Sequence, residues 1–496
     1  MFPNDNNFEA NFSFENESGN VVSDNSFHAL ILGNWSGDAR KDVLDARRPI
    51  EIDRDNFDDV IKQCQVSLNL NLANNETETL TINFEKLEDF HPDSLFNCLP
   101  IFQELKDIRN RLLNPKTYNS AAQEIISWSN DKIDSGFSSD SQNESQNSGN
   151  LLDQILSQSP AKDEKIASQN VHNNELRRLV NDVVRPHLVN VNFDEQEDFI
   201  KLIDARTSSL MRQILHHQSF QKLESAWRAL DFLVRNVETG SDLKISIFDV
   251  SKNEISEHLK TYNNLFDAPF YQTVFGGNSL WTIVAADFSF APTIEDTAAL
   301  IRLTKMSASG DSAFVSHFDV SVVNSDSDKS KISEQVFDDD NARKLWTTLR
   351  VLPESEYLGL LANCLLARVP YGKDSEPLEN FDFEEFDDEI SHENYLWANP
   401  CFYLTLLLAQ TFRQFGKVLI SNIAGKTFAL PPHIYKHENE AVVQYPVDKV
   451  YNVNETTKLL NSGLMSFVVY RDSEQIRLSR LQAISLKSAA LRGKWE

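Results

Sequence analysis

An α+β fold with mixed α/β character is predicted for this 496-residue chain by three observations. Short segments alternate apolar and polar residues with a period of two, longer segments follow a helical period, and the two kinds are interspersed along the chain. A hydrophobic fraction of 41% with 32 Phe provides for a large packed interior. At about 150 residues per domain, the length predicts two or three domains.

In the first part of the chain, Leu68, Leu70 and Leu72 alternate with Asn69 and Asn71, the pattern of a half-buried strand. Leu80, Ile82 and Phe84 repeat the pattern after a polar Asn-Asn-Glu-Thr-Glu connection, which predicts a hairpin. Ile101, Leu105, Ile108 and Leu112 then follow an amphipathic helical spacing, with Pro92-Asp93 as the upstream start signal. From Ser129 to Asn150 the chain is nearly all Ser, Asn, Asp and Gln, too polar to bury the apolar area that would offset its ordering entropy, and it reads as a linker. Beyond it, Phe199 to Val234 is helical in pattern. Strands are predicted at 243–250, 281–286 and 466–470, and helices at 294–307, 357–368 and 400–415.

Composition also excludes classes of function. With 47 Lys plus Arg against 74 Asp plus Glu, the net charge of −27 repels nucleic acid and anionic lipid. The best basic candidate, Arg47-Arg48, is followed by Asp53, Asp55, Asp58 and Asp59. There is neither an export signal at the start nor a run of eighteen apolar residues, so no membrane association is expected. Cys64, Cys98, Cys364 and Cys401 are too far apart for a zinc or disulfide framework and fit a reducing cytoplasm.

Phosphate-loop, nucleophile-elbow and zincin motifs are missing from the sequence, so neither an enzyme nor a cofactor or metal site is expected. His216 and His217 are adjacent in a predicted helix and diverge by about a hundred degrees, which favours structural or capping roles over shared metal ligation. The acidic run 376–393 lacks the ligand spacing of a calcium loop; Phe381, Phe383 and Phe386 mark it as a loop pinned by aromatics or an interaction surface. Directly after the linker, Leu151, Leu152, Ile155 and Leu156, with Asp153 among them, form a short apolar stripe. It suits either docking on its own domain or capture in a partner's groove.

Two blocks carry a family resemblance. The segment 212–238, with His216, His217, Phe220, Leu223, Glu224, Trp227 and Arg228, resembles the hallmark helix pair of the large subunit of the type VI secretion contractile sheath. Segments 357–372, 392–416 and 430–436 are similar to later large-subunit segments in the same order. Before the linker, 47–72 with Ile52, Asp53, Asp55, Asn56 and Phe57, and 80–96 with Phe90, Pro92 and Asp93, resemble the small subunit; 29–37 fits its preceding strand.

The resemblance implies a small subunit fused to a shortened large subunit, their halves packed together: a disordered stretch or short arm over 1–26, a small-subunit domain over 27–128, the linker over 129–150, and a large-subunit domain over 151–496 lacking the usual C-terminal segment. It implies a cytoplasmic, mechanical role in a sheath around an inner tube. The implied partners are other sheath subunits or copies of itself, the tube and baseplate, and a ClpV-type unfoldase gripping the 151–156 stripe. A non-contracting accessory that caps, joins or regulates the sheath is the alternative, and an enzyme or ligand-binding protein on the same scaffold is a remoter one.

Overall fold

The computed structural model describes residues 26–130 apart from 40 and 73–78, and 196–495 apart from 277–279, 321–339, 387–389, 419, 424, 438–439 and 471–473. It also describes two short paired strands near the start, Phe14–Glu15 and Val21–Val22. At the centre is a seven-stranded sheet, whose strands in chain order are β1 (Phe27–Gly33), β2 (Ile50–Ile52), β3 (Leu243–Asp249), β4 (Ile283–Phe290), β5 (Ala313–Phe318), β6 (Leu358–Leu361) and β7 (Leu464–Met465). Their spatial order is β7-β6-β5-β4-β1-β3-β2, and every neighbouring pair is parallel except β2 with β3.

The position of β1 decides the architecture. It comes from the N-terminal segment, yet it pairs on one side with β3 from Phe27↔Leu243 to Gly33↔Asp249, and on the other with β4 from Ala29↔Ile283 to Leu32↔Ala286. A strand parallel to both neighbours and covered on both faces has no solvent side, and all seven residues of β1 are buried accordingly. Successive side chains point to opposite faces: Phe27, Ala29 and Ile31 enter one core while Leu30 and Leu32 enter the other.

Among the helices of the described residues that pack around this sheet are α1 (Phe57–Cys64), α2 (Pro92–Cys98), α3 (Pro100–Leu113), α4 (Gln196–Leu215), α5 (Gln218–Arg235), α6 (Ile294–Ser309), α7 (Asp340–Val351) and α8 (Cys401–Phe415). The first core joins the Phe27 face of the sheet to α1–α5, α8 and the antiparallel hairpin Ser67–Asn71/Thr79–Asn83. The second core packs α6, α7 and the short helices Lys252–Lys260 and Pro269–Val274 on the opposite face. The mixed α/β class is therefore realised as a largely parallel sheet with a layer on each side.

Several sequence-based boundaries change. The predicted helix entered at Pro92 is two helices: Leu99 precedes Pro100, adopts φ −80°, ψ 127°, and ends α2, because a residue before proline is pushed out of the helical region. The long helical pattern 199–234 likewise breaks at His216-His217. The segment 357–368, predicted as helix, forms β6 and the short strand Leu365–Leu366. All four residues of β6 are buried, and short apolar runs do not distinguish a core helix from a core strand. Gly359 permits its close packing, since a Cβ there would lie 3.0 Å from Leu491 and Met465 side-chain atoms. The strand predicted at 281–286 starts at Ile283 and runs on to Phe290 through an irregularity after Ala286. The helix Tyr118–Asn130 extends two residues into the predicted linker; the rest of that stretch lies outside the described residues.

Candidate functional site

Several residues singled out by the sequence, among them Phe57, Phe90, Asp93, Phe220, Leu223, Glu224, Trp227 and Arg228, meet at a buried seam between the N-terminal and C-terminal segments. Its apolar half is aromatic. Trp227 on α5 is fully buried, meets Trp35 edge-on at 5.0 Å and Phe57 at 5.7 Å, and donates its indole N–H to the Trp35 carbonyl at 3.1 Å. Phe90 stacks on Phe84 at 4.0 Å, and both rings contact Phe220. Leu223 completes this surface beside Gly37, whose φ of +66° needs glycine: a Cβ there would fall 2.4 Å from the Ser67 carbonyl oxygen.

The polar half is a buried charge cluster. Arg368 donates Nε to Glu224 at 2.8 Å and its two Nη groups to Glu385 at 2.7 and 3.0 Å, while its guanidinium lies 4.2 Å from the Tyr371 ring centroid. Arg228 donates to Glu224 at 2.7 Å and to the Tyr371 hydroxyl at 2.9 Å. The Tyr371 backbone N–H adds a 2.8 Å bond to Glu385. Two cations thus face two anions, with Glu224 0% and Glu385 2% exposed. Burial alone would raise the Glu385 carboxyl, but Arg368 and the Tyr371 N–H overcome it and hold the group at about 2. Burial also works against charge on Arg368, yet Glu224 and Glu385 raise it well above its ordinary value.

The N-terminal segment reaches this cluster directly. His91 meets the Tyr371 ring edge-on at 5.0 Å. Asp93 accepts hydrogen bonds from Glu379 N, Asn380 N and Asn380 Nδ2 at 3.0, 3.0 and 2.9 Å; burial opposes its charge, but these donors and His91 leave its carboxyl below the usual range. Pro92 is the first residue of α2, where its missing N–H is not needed, and His91 caps that helix by accepting from Asp93 N. The acidic run is therefore a loop fastened by its aromatics, with Phe381 stacked on Phe96 at 4.6 Å and Phe383 buried. Its Glu385 has left solvent for the charge cluster.

The motif around Asp53 forms the turn joining β2 to α1. Ile52 is buried and pairs with Ile245; Asp53 Oδ1 accepts from Asp55 N and Asn56 N, and Asn56 Oδ1 accepts from Asp53 N. Asp55 is exposed beyond this turn. Further contacts link the segments outside the core: Asp249 accepts from Trp35 N, Ser36 N and Ser36 Oγ, Arg47 pairs with Glu254 at 2.7 Å, and Arg109 with Asp204 at 2.6 Å.

The histidine pair is corrected in detail. His216 and His217 lie at the α4–α5 junction and not within one helix. His217 caps α5 by accepting from Ser219 N at 3.3 Å, a capping role, while His216 Nε2 stands 3.7 Å from Glu385 Oε1, beyond hydrogen-bond length. Among the described residues no group of three or more His, Cys, Asp or Glu side chains is placed to hold a metal ion. Leu151, Leu152, Asp153, Ile155 and Leu156 lie outside the described residues. Arg368, Tyr371 and Glu385 were not singled out as site residues. Arg368 carried a signal, a charged residue amid the apolar run LLARVPYG, but its partners stand 144 and 17 positions away.

Two mutually buried segments that complete one sheet, held by an aromatic seam and a neutralised ionic cluster, define a structural pairing unit. Residues 197–485 match the family of EvpB (VipB) tail sheath N-terminal domains, and residues 10–129 match the type VI secretion system VipA family. The first match alone covers more than half of the chain, so the protein belongs to the type VI secretion sheath family, with small-subunit (TssB) and large-subunit (TssC) segments fused in one polypeptide. It is 28% identical over 299 residues to the type VI secretion system sheath protein TssC1 of Pseudomonas aeruginosa, a match covering 56% of this chain and 59% of that protein. The chain thus spans about three-fifths of the length of this curated relative. No helix among the described residues is long and apolar enough to cross a membrane.

Proposed function

We propose that the chain is a ready-paired building block of a contractile sheath, assembling with copies of itself or with other sheath subunits around an inner tube on a baseplate in the bacterial cytoplasm. The observation that carries this reading is the placement of β1 between β3 and β4, which makes the two sheath segments one folded unit. Covalent fusion holds their stoichiometry at one to one and removes the association step that separate chains undergo. The work assigned to such a unit is mechanical: contraction is a change between two subunit packings and needs no catalytic residue.

The boundaries proposed for the functional parts are 1–26 for an arm, 27–128 and 151–496 for the two subunit-like parts, and 129–150 for the tether. Purified protein, alone or co-expressed with its secretion-system neighbours, is expected to form ordered tubules in negative stain. Discrete monomers or small oligomers under both conditions would contradict the building-block reading and favour a non-contracting accessory.

The stripe Leu151, Leu152, Asp153, Ile155 and Leu156 is proposed as the grip for a ClpV-type unfoldase, on the strength of its amphipathic spacing and its place next to the tether. Replacing Leu152 and Leu156 with Asp is expected to abolish binding to the unfoldase's N-terminal domain in a pull-down while leaving the melting temperature unchanged. Undiminished binding removes this assignment.

A further inference from the structure

A cleft of about 490 Å³ opens at the carboxyl ends of β1, β4 and β5, bordered by the seam residues Gly37 and Leu223. After β1 the chain passes to the first core, through Trp35, whereas the helices that follow β3 and β4 pack in the second core. Adjacent strands of a parallel sheet whose continuations leave to opposite faces create a crevice at their carboxyl ends, the usual place for a ligand in such sheets. The irregularity in β4 lies here, between Ala286 and Ser289. Ser316 Oγ is 2.9 and 2.7 Å from the Ala286 and Phe288 carbonyl oxygens, and Asn399 Nδ2 donates to the Phe288 carbonyl at 2.8 Å. A bulge re-aims the side chain that it carries, and this one is pinned on both sides of Asp287, which lines the cleft.

The half-buried Asp287 carboxyl group receives no hydrogen bond or ion pair from the described residues, although Asp is seldom taken even partly out of water without a partner. Burial pushes it up to about 8, with Lys222 at the rim pulling the other way. Apart from Lys222, the neighbouring groups add no free positive charge. His317 is held by Ser289 Oγ at 2.9 Å and is kept at about 4 by burial, and the Cys364 thiol is raised by burial and by Asp448, Asp287 and Asp319. Lys252 is occupied by Asp296 at 2.9 Å. Trp397, whose ring stacks on His392 at 5.0 Å, lines the same cleft, and an aromatic side chain in a cleft with an unpaired carboxyl group is a setting for an organic cation.

We propose that this cleft binds a guanidinium or primary ammonium group, with Asp287, which gives up its proton as the cation binds, as its partner and Trp397 as its aromatic wall. The cation comes either from a small free amine or from a Lys or Arg side chain of a second copy. Calorimetric titration of the full chain with agmatine is expected to give saturable one-site binding, and N-butylurea, a neutral analogue, none. Asp287→Asn should weaken agmatine binding at least tenfold. Ser219→Trp, at the exposed rim, should do so by obstructing the mouth, and it carries the test if the first variant fails to fold. Sedimentation separates the sources: agmatine that dissociates self-assembled protein identifies a side chain of a second copy, and agmatine that binds without changing the assembly state identifies a free cation. Absence of saturable binding to the wild type, or unchanged affinity in a folded variant, overturns the proposal.

Discussion

Replacing Arg368 with alanine is expected to lower the unfolding free energy by about 3–5 kcal/mol, as removal of one partner from a buried ionic cluster does. Glu224 and Glu385, 0% and 2% exposed, would lose the guanidinium that faces both of them. Arg228 would remain for Glu224, so the larger loss falls on Glu385. Urea denaturation measures the change. The double variant Arg368→Met, Glu385→Leu removes both charges and is expected to recover part of the loss, because an apolar pair needs no compensation for desolvation. The pH dependence has a definite sign. The Glu385 carboxyl is held at about 2 in the fold against 4.5 ordinarily, so its contribution is complete above pH 4.5 and disappears as pH falls toward 2. Acid unfolding should therefore depend less steeply on pH over that window in Glu385→Gln than in the wild type.

Trp227→Ala is expected to cost about 3–5 kcal/mol, the usual range for deleting a large buried aromatic. More than volume is lost. The indole joins two chain segments, through Trp35 and Phe57 on the N-terminal side and through its 3.1 Å bond to the Trp35 carbonyl, which would be left without that donor. Trp227→Phe restores much of the ring but not the N–H, and should fall between alanine and wild type. Equal stability of the alanine variant and the wild type would mean that the seam contributes nothing to the fold.

How far the sequence could be read follows from the range of each interaction. Periods of two and of 3.6 are local, and the hairpin Ser67–Asn71/Thr79–Asn83, the strand Leu243–Asp249 and the helix Cys401–Phe415 stood where local pattern placed them. Local pattern failed where context decides. The run Leu358–Leu361 is a strand because β5 and β7 flank it, and nothing within its own residues says so. Pro100 ends α2 at Leu99, but the apolar spacing beyond it reads as one helix entered at Pro92.

The site behaved in the same way. Phe90, Phe220, Trp227 and Glu224 belonged to motif blocks and therefore could be named, while their meeting across more than a hundred residues could not. Glu385 illustrates the limit: in a run of acidic residues nothing marks the one that will be buried, since the mark is Arg368, and Arg368 approaches only through the fold. Asp287 gave no signal at all, because its significance comes from a bulge and a cleft.

The N-terminal segment supplies an interior strand, β1, and an edge strand, β2, to a sheet whose other five strands come from the C-terminal segment. The most direct test is to divide the chain, expressing residues 1–140 and 141–496 separately and together. Co-expression should yield a one-to-one complex that survives gel filtration, and 141–496 alone should be insoluble or melt without cooperativity, since β3 and β4 would face a gap where β1 belongs. A monodisperse, cooperatively melting 141–496 that leaves 1–140 behind would contradict the account.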